Sequence, residues 1–382
     1  MISSLTPRSD YPTLEGSVYL NQASLGLLGR PAVEAMHGFL DDVARHGNRF
    51  MSDQDEVAYF ESLRERAARL LGCDVGGIAI VAGASELLGQ LPYLLDRTPG
   101  SRVLAVTTDF PAVTRPWLRL AARGGCEVFF VNDLPTEDLT DTLIDALDER
   151  ISVLAVSQVQ YATGTILDVP RLREATRNAG ASLVVDAGQA AGAVPMDVSA
   201  WGADVVVCSG YKWLGGHGGV ALAAVSERVL EDIPPLPGWM GAPEPFGFDA
   251  TRVLVATDAR RFTQSTMSYV SMAGLAASLD QLLSLGAASI EAHAKALATL
   301  LVDELAPSGW VPFRSPAAAA ASPHIISIAH PERSQEVAAA ALRERGIVCG
   351  TRGGRIRVSL AAYNDESDVR ALVEVLATRD PS

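Results

Sequence analysis

From about residue 60 the chain alternates between two hydrophobic patterns. Stretches such as ESLRERAARLLG and SELLGQLPYLLD place apolar residues three and four positions apart, the spacing of one helix face. Between them, GGIAIVAG and SRVLAVTTD are short, nearly continuous apolar runs rich in β-branched residues, which predict strands. Further runs of this kind are CEVFFVN, ISVLAVSQVQ, ASLVVDAG, ADVVVCSG and GVALAAVS. Strands that are apolar on both faces and separated by helices predict a mostly parallel sheet covered on both sides, an α/β architecture.

The alternation lapses from Leu230 to Phe248, where PPLPGWMGAPEPFGF reads as a long loop able to cross a subunit boundary. Arg30 to Asp55 and Leu236 to Arg261 are likewise read as loops that would set side-chain specificity, and PAAAAASP as a short Ala-rich loop. SYVSMAGLAASLDQLLSLGAASIEAHAKALATLLVDELA is a long helical stretch, followed by a sparser α+β region ending in GRIRVSLAAYNDESDVRALVEVLAT. These changes predict a segment over 1–15 packing on a small domain, a large domain over 16–289 and the small domain over 290–382.

Composition narrows the class. A chain of 382 residues, 48% hydrophobic, can bury a large core and is not disordered. No apolar stretch of about 20 residues lacks polar or turn punctuation, and the start MISSLTPRSDYPTLEG has no signal-like pattern, so a cytoplasmic protein is expected. The net charge of -14 is spread along the chain and would repel nucleic acid and anionic membranes. Cys73, Cys126, Cys208 and Cys349 stand apart without metal-ligand spacing, which predicts reduced thiols and no metal site.

In an open parallel sheet, ligands gather at the carboxyl ends of the strands. Ala84 and Ser85 follow GGIAIVAG and lead into a helix, offering N–H groups and a hydroxyl to a phosphate, or simply a turn. Phe110 follows SRVLAVTTD, where its ring can cover a planar heterocycle or belong to the core. Asp186 ends ASLVV, with Gln189 three residues on; a buried carboxylate there needs a cationic partner such as a pyridinium nitrogen, unless it caps the next turn. Lys212 follows ADVVVCSGY among aromatic residues and glycines. Desolvation there favours the neutral, nucleophilic amine, against the alternative of an ordinary solvated lysine.

Taken in order, these groups resemble the fold type I pyridoxal 5′-phosphate (PLP) enzymes. The likeness is to the class V aminotransferases, which include cysteine desulfurases, selenocysteine lyases, kynureninases and isopenicillin N epimerase-like proteins. It runs from YLNQASLG to YNDESDV. The resemblance implies a seven-stranded-type sheet in the large domain and a Schiff base between Lys212 and the cofactor. It gives Ala84, Ser85, Ser209 and Tyr211 to the phosphate, Phe110 to the ring face, Asp186 to the ring nitrogen and Gln189 to the phenolic oxygen. VQYATGTILDVP puts Tyr161 near the ring edge, and GRIRVSLAAYN makes Arg357 the clamp for the substrate α-carboxylate, with Asn21 also on the substrate side. GWMG and RFTQSTMS resemble segments in which Trp239 and Thr266 reach the phosphate of a neighbouring subunit, implying a homodimer with shared sites.

A desulfurase needs a mobile nucleophilic cysteine before the Arg357 segment. GIVCGTRGGRIRVS supplies only Cys349, better read as a strand thiol. Gln189 stands where kynureninases usually carry a histidine. The expected reaction is therefore β-elimination from an S-substituted L-cysteine, with Lys212 as the Cα base. Transamination, epimerisation or decarboxylative or oxidative deamination, including on S-linked cysteine conjugates, is the alternative within enzymes. A silent PLP-fold subunit is the alternative outside them. Arg49, Arg115 and Arg352 are left as solvated groups or contacts to a second acid.

Overall fold

All seven apolar runs become strands of one sheet in the computed structural model, which describes residues 1–95 and 100–378. A short strand, β1 (Val18–Leu20), precedes them. The seven are β2 (Ile78–Val81), β3 (Ser101–Val106), β4 (Cys126–Val131), β5 (Ile151–Ser157), β6 (Ser182–Asp186), β7 (Val205–Ser209) and β8 (Ala221–Val225). Their spatial order is β2-β8-β7-β6-β5-β3-β4, and β8 alone runs against the others.

Alternation along each strand sorts its side chains into two cores. Ile78, Ile80, Leu154, Val156, Val206 and Cys208 enter one cluster, while Ala79, Val81, Val153, Ala155, Val205 and Val207 enter the other. Helices therefore cover both faces, as the continuous apolar runs require. The edge strand β4 is the exception, with much of its length exposed.

The second sheet contains β9 (Val311–Pro312), β10 (Ile325–Ala329), β11 (Ile347–Arg352) and β12 (Arg355–Ser359), in the order β1-β11-β12-β10-β9. Leu20, Leu297, Leu301, Ile326, Ile356, Val358 and Leu372 form its core beneath the helices Ala287–Leu305 and Glu366–Ala377. Val18–Leu20, expected with the large domain, instead pairs in parallel with Ile347–Cys349. The preceding segment lies against the same region: Ile2 N donates to Glu366 at 2.9 Å, and Arg8 grips Asp368 through bonds of 2.8 and 3.0 Å.

Three local expectations change. Arg30 to Asp55 is not a loop: Arg30–His46 is a helix opened by Pro31, with Val33, Met36, Leu40 and Val43 at helical spacing. The helix expected over SELLGQLPYLLD stops at Gln90 and tightens into a 3₁₀ turn over Leu91–Tyr93, because Pro92 has no N–H to donate. The long helical stretch is broken into Tyr269–Leu285 and Ala287–Leu305 by Gly286, whose φ of 77° is the left-handed conformation glycine adopts without strain. No single helix among the described residues is long and apolar enough to cross a membrane.

Candidate active site

Five strand ends converge on one region. β2 leads to Ala84 and Ser85, β3 to Phe110, β5 to Tyr161, β6 ends on Asp186, and β7 ends on Ser209 just before Tyr211 and Lys212. The parallel arrangement makes this convergence automatic, since all five strands point the same way.

Lys212 is 8% exposed, and its Nζ makes no hydrogen bond or ion pair among the described residues. The nitrogen lies 5.1 Å from the Phe110 ring centroid and 5.7 Å from that of Tyr211. Burial pulls the amine below the ordinary lysine range, the Asp186 charge opposes this, and Arg357 adds to it. Asp186 shows the complementary shift: burial pushes its carboxyl up, while Lys212 and the Gly188 N–H pull it down. Its Oδ1 accepts from Gly188 N at 2.7 Å, and a Cβ on Gly188 would stand 2.8 Å from that oxygen and force the carboxylate to shift. Asp186 Oδ2 has no hydrogen bond among the described residues.

The wall beside Lys212 is held by a residue the sequence reading passed over. Asp109 is buried and accepts from Ser157 N at 2.7 Å, Ser157 Oγ at 2.5 Å, Gln160 Nε2 at 3.2 Å and Phe110 N at 2.6 Å. Burial pushes its carboxyl up to about 6 against these four donors. It thereby fixes the backbone on both sides of the Phe110 and Tyr161 rings, which meet edge to face at 5.5 Å.

Arg357 on β12 is 1% exposed. Its Nη1 donates to the Tyr161 carbonyl at 2.9 Å and its Nη2 to Ser24 Oγ at 2.5 Å, while Nε is buried without a partner. Burial, and then the neighbouring Arg352, lower it to about 10. Asn21 lies against the same group, with Oδ1 3.4 Å from Arg357 Nη2 and 2.9 Å from Ser24 Oγ.

Gln189 is oriented by three contacts. Its Oε1 accepts from Trp213 Nε1 at 2.7 Å, its Nε2 donates to the Ala23 carbonyl at 3.0 Å, and its own carbonyl accepts from His324 Nε2 at 2.6 Å. One Nε2 hydrogen remains for a ligand. Ala84 and Ser85 begin the helix Ala84–Gln90 with no side-chain cap on their N–H groups. Ser209 Oγ and Tyr211 Oη make no hydrogen bond among the described residues. Trp239 and Thr266 are placed elsewhere: Trp239 packs on Phe246 and Phe248 at 5.6 and 6.0 Å, Thr266 is exposed, and neither makes a hydrogen bond or ring contact with the Lys212 group.

Sequence reasoning missed Asp109, Trp213 and His324 and left Gln22 and Ser24 without roles. Asp109 had a signal, since it adjoins Phe110 at a strand end; His324 had none. No group of three or more His, Cys, Asp or Glu among the described residues is placed to hold a metal.

The chemistry present suits a planar aldehyde cofactor with a ring nitrogen and a phosphate. It offers an unpaired buried amine, a carboxylate with one free oxygen and uncapped N–H groups beside free hydroxyls. Comparison with known proteins agrees. Residues 18–372 match the family described as aminotransferase class-V. The chain is 27% identical to an uncharacterized aminotransferase, YcbU, of Bacillus subtilis, over 97% of both chains. It is 28% identical to the cysteine desulfurase CsdA of Escherichia coli, covering 97% of this chain and 96% of that one. A solved complex of the cystine C-S lyase C-DES with its product cysteine persulfide superposes with a TM-score of 0.87 at 22% identity, covering 97% of this chain and 100% of that one.

Proposed function

The chain belongs to the aminotransferase class-V family of PLP enzymes acting on amino acids, and within it we propose a C–S lyase that eliminates a thiol from an S-substituted L-cysteine. One observation carries the choice of reaction: among the described residues, no cysteine lies on the turn that leads into the Arg357 strand. β11 and β12 are joined by Gly353 and Gly354 alone, at φ 55° and 69°, so no loop there can carry a cysteine inward. Cys349 lies within β11, paired with Leu20, and burial pushes its thiol up to about 12. A nucleophilic desulfurase thiol needs the opposite shift.

When bound, PLP supplies the sink for electrons released at the substrate Cα. Lys212 Nζ would hold its aldehyde end and is the amine placed to take a proton from the substrate Cα; burial weakens its hold on a proton, the direction that role calls for. Asp186 Oδ2 would accept from its ring nitrogen, and the uncapped N–H groups of Ala84 and Ser85 with the hydroxyls of Ser209 and Tyr211 would hold its phosphate. Phe110 would cover one face of the ring with Tyr161 flanking it, and Gln189 has its remaining N–H to offer the phenolic oxygen. Arg357 and Asn21 fix the α-carboxylate, which orients the Cα–H bond toward Lys212. Cleavage of the Cβ–S bond then releases the thiol, and water completes conversion of the remainder to pyruvate and ammonium.

The protein acts as a homodimer in this reading. Trp239, Phe248, Val253 and Leu254 expose an apolar surface on the long loop, and across that interface Trp239 and Thr266 would reach the phosphate of the other protomer. The test is product analysis with purified holoenzyme and S-alkyl L-cysteines. Pyruvate and thiol should appear in equal amounts; accumulation of pyridoxamine phosphate with neither product would overturn the lyase in favour of transamination.

A further inference from the structure

Arg357 is not the only guanidinium at the carboxylate end of the site. Ser24 Oγ donates its single proton to Asn21 Oδ1 at 2.9 Å, which leaves two lone pairs. One accepts from Arg357 Nη2 at 2.5 Å and the other from Arg352 Nη2 at 3.4 Å. A single hydroxyl thus gathers two permanent positive charges.

Strand register explains the convergence. In the β11–β12 ladder Gly350 faces Arg357 and Arg352 faces Arg355, so Gly350 and Arg352 project on the same side as Arg357. Gly350 leaves the room that the Arg357 side chain fills: a Cβ there would come within 3.2 Å of Arg357 Nε and 3.0 Å of Asn21 Oδ1. Arg355 is turned away toward the carbonyls of Val311 and Ser327. Arg352 instead reaches back to Ser24.

No carboxylate among the described residues neutralises either charge. Neither Arg352 nor Arg357 forms an ion pair with any acidic residue among those described, although many other arginines of this acidic chain do. Two like charges left together without a counter-ion raise each other's energy, and an arginine cannot relieve the strain by losing its proton at neutral pH. Arg357 is buried and Arg352 exposed, so the pair runs from the interior outward.

We propose that Arg352 is a specificity-determining residue that binds a second anionic group on the substrate, so that the preferred substrate is an L-cysteine whose S-substituent carries a carboxylate or another acid. This rests on the lyase reading above for the identity of the amino acid. Arg357 holds the α-carboxylate, and Arg352 meets the distal acid on the solvent side, with Ser24 fixing the spacing between them.

The test uses two near-isosteric ligands, S-carboxymethyl-L-cysteine and its neutral amide S-carbamoylmethyl-L-cysteine. Their binding is measured by calorimetry to a Lys212→Ala variant reconstituted with PLP, and to the same variant carrying Arg352→Gln. With Arg352 present the acid should bind roughly 10-fold or more tightly than the amide. Arg352→Gln should bring that ratio close to one, and Arg352→Lys should restore part of it. A ratio near one with Arg352 in place, or failure of both ligands to bind, overturns the proposal. So does an equal loss for both ligands in Arg352→Gln, which would make Arg352 a second donor to the α-carboxylate. Pyruvate formation by the wild-type enzyme is read separately, so failure of the lyase reading shows as bound ligand without product.

Discussion

Gln22 and Lys212, 190 positions apart, are joined by a hydrogen bond of 2.9 Å from Gln22 Nε2 to the Lys212 carbonyl. Gln22 Oε1 accepts from Tyr363 Oη at 2.7 Å and from Leu27 N at 3.2 Å. One carboxamide therefore ties the lysine turn to the N-terminal segment and to the residues that follow β12. Gln22→Leu would leave the three partners unsatisfied in a buried position. A loss of about 2 to 4 kcal/mol in denaturant stability is expected, together with a lower kcat. Gln22→Glu keeps the oxygen that accepts both bonds but sets a second carboxylate oxygen against the Lys212 carbonyl in a buried position, so it should cost at least as much as the leucine in urea titration of the holoenzyme.

Lys212 and Asp186 can be separated kinetically. In the proposed mechanism Lys212→Ala removes both the cofactor's amine anchor and the proton acceptor, and should lower kcat by at least about 10³-fold. Asp186→Asn keeps the shape of the group and the amine but removes the negative charge that would face the ring nitrogen. Its expected signature is a large fall in kcat with cofactor still bound, visible as an altered absorbance spectrum with unchanged PLP content.

Much of this site was legible because its groups follow immediately after apolar runs. Lys212, Asp186 and Phe110 could be placed from the strand pattern, since a parallel sheet brings strand ends together whatever their sequence separation. Contacts made between sheets left no such trace. The three residues of β1 carry no period that distinguishes a neighbour in the large sheet from one in the small sheet, and their partner lies more than 300 positions away. The helix Arg30–His46 was missed for another reason: most of its surface is exposed, and Gly38 and a run of charged residues dilute its apolar stripe. Asp109 and His324 act through partners that folding alone supplies.

Cys349 offers a direct test of the reaction class. Its thiol is protonated at neutral pH and held within β11, so Cys349→Ala should retain wild-type formation of pyruvate and thiol from S-alkyl cysteines. Loss of sulfur release in that variant, measured alongside unchanged thermal stability, would return persulfide chemistry to consideration.

His324 makes stability depend on pH in a defined window. Burial lowers the imidazole from 6.5 to about 4, and its Nε2 donation to the Gln189 carbonyl only partly opposes this. Between those values the unfolded chain takes up a proton that the native chain refuses. Stability should therefore fall as pH drops from 6.5 toward about 4, with a contribution of about 1.4 kcal/mol per pH unit, and should be unaffected by this group above 6.5. His324→Gln keeps a donor for the Gln189 carbonyl but cannot titrate. Its stability should lose that part of the slope when both proteins are unfolded in urea across the window, and parallel curves would show that His324 is not the group responsible.

Asp133 and Arg314 link the large sheet to the chain after β9 and, through one turn, to the carbonyl that holds Arg357. The Asp133 side chain is fully buried and accepts from Thr163 Oγ1 at 2.6 Å, Thr165 Oγ1 at 3.0 Å and Arg314 Nη2 at 2.9 Å. The same threonines flank Gly164, whose φ of 75° and close approach to the Ile325 carbonyl admit no side chain. Three residues before Gly164 is Tyr161, the carbonyl that holds Arg357 at 2.9 Å. Removing the guanidinium in Arg314→Leu strands a buried carboxylate and should cost about 3 to 5 kcal/mol. The double variant Arg314→Leu/Asp133→Asn removes the charge as well and should recover much of that stability. If the pair positions Arg357 through Tyr161, both variants should raise KM for substrates more than they lower kcat, even where stability is recovered. An unchanged KM in the double variant would confine the pair to holding the two sheets together.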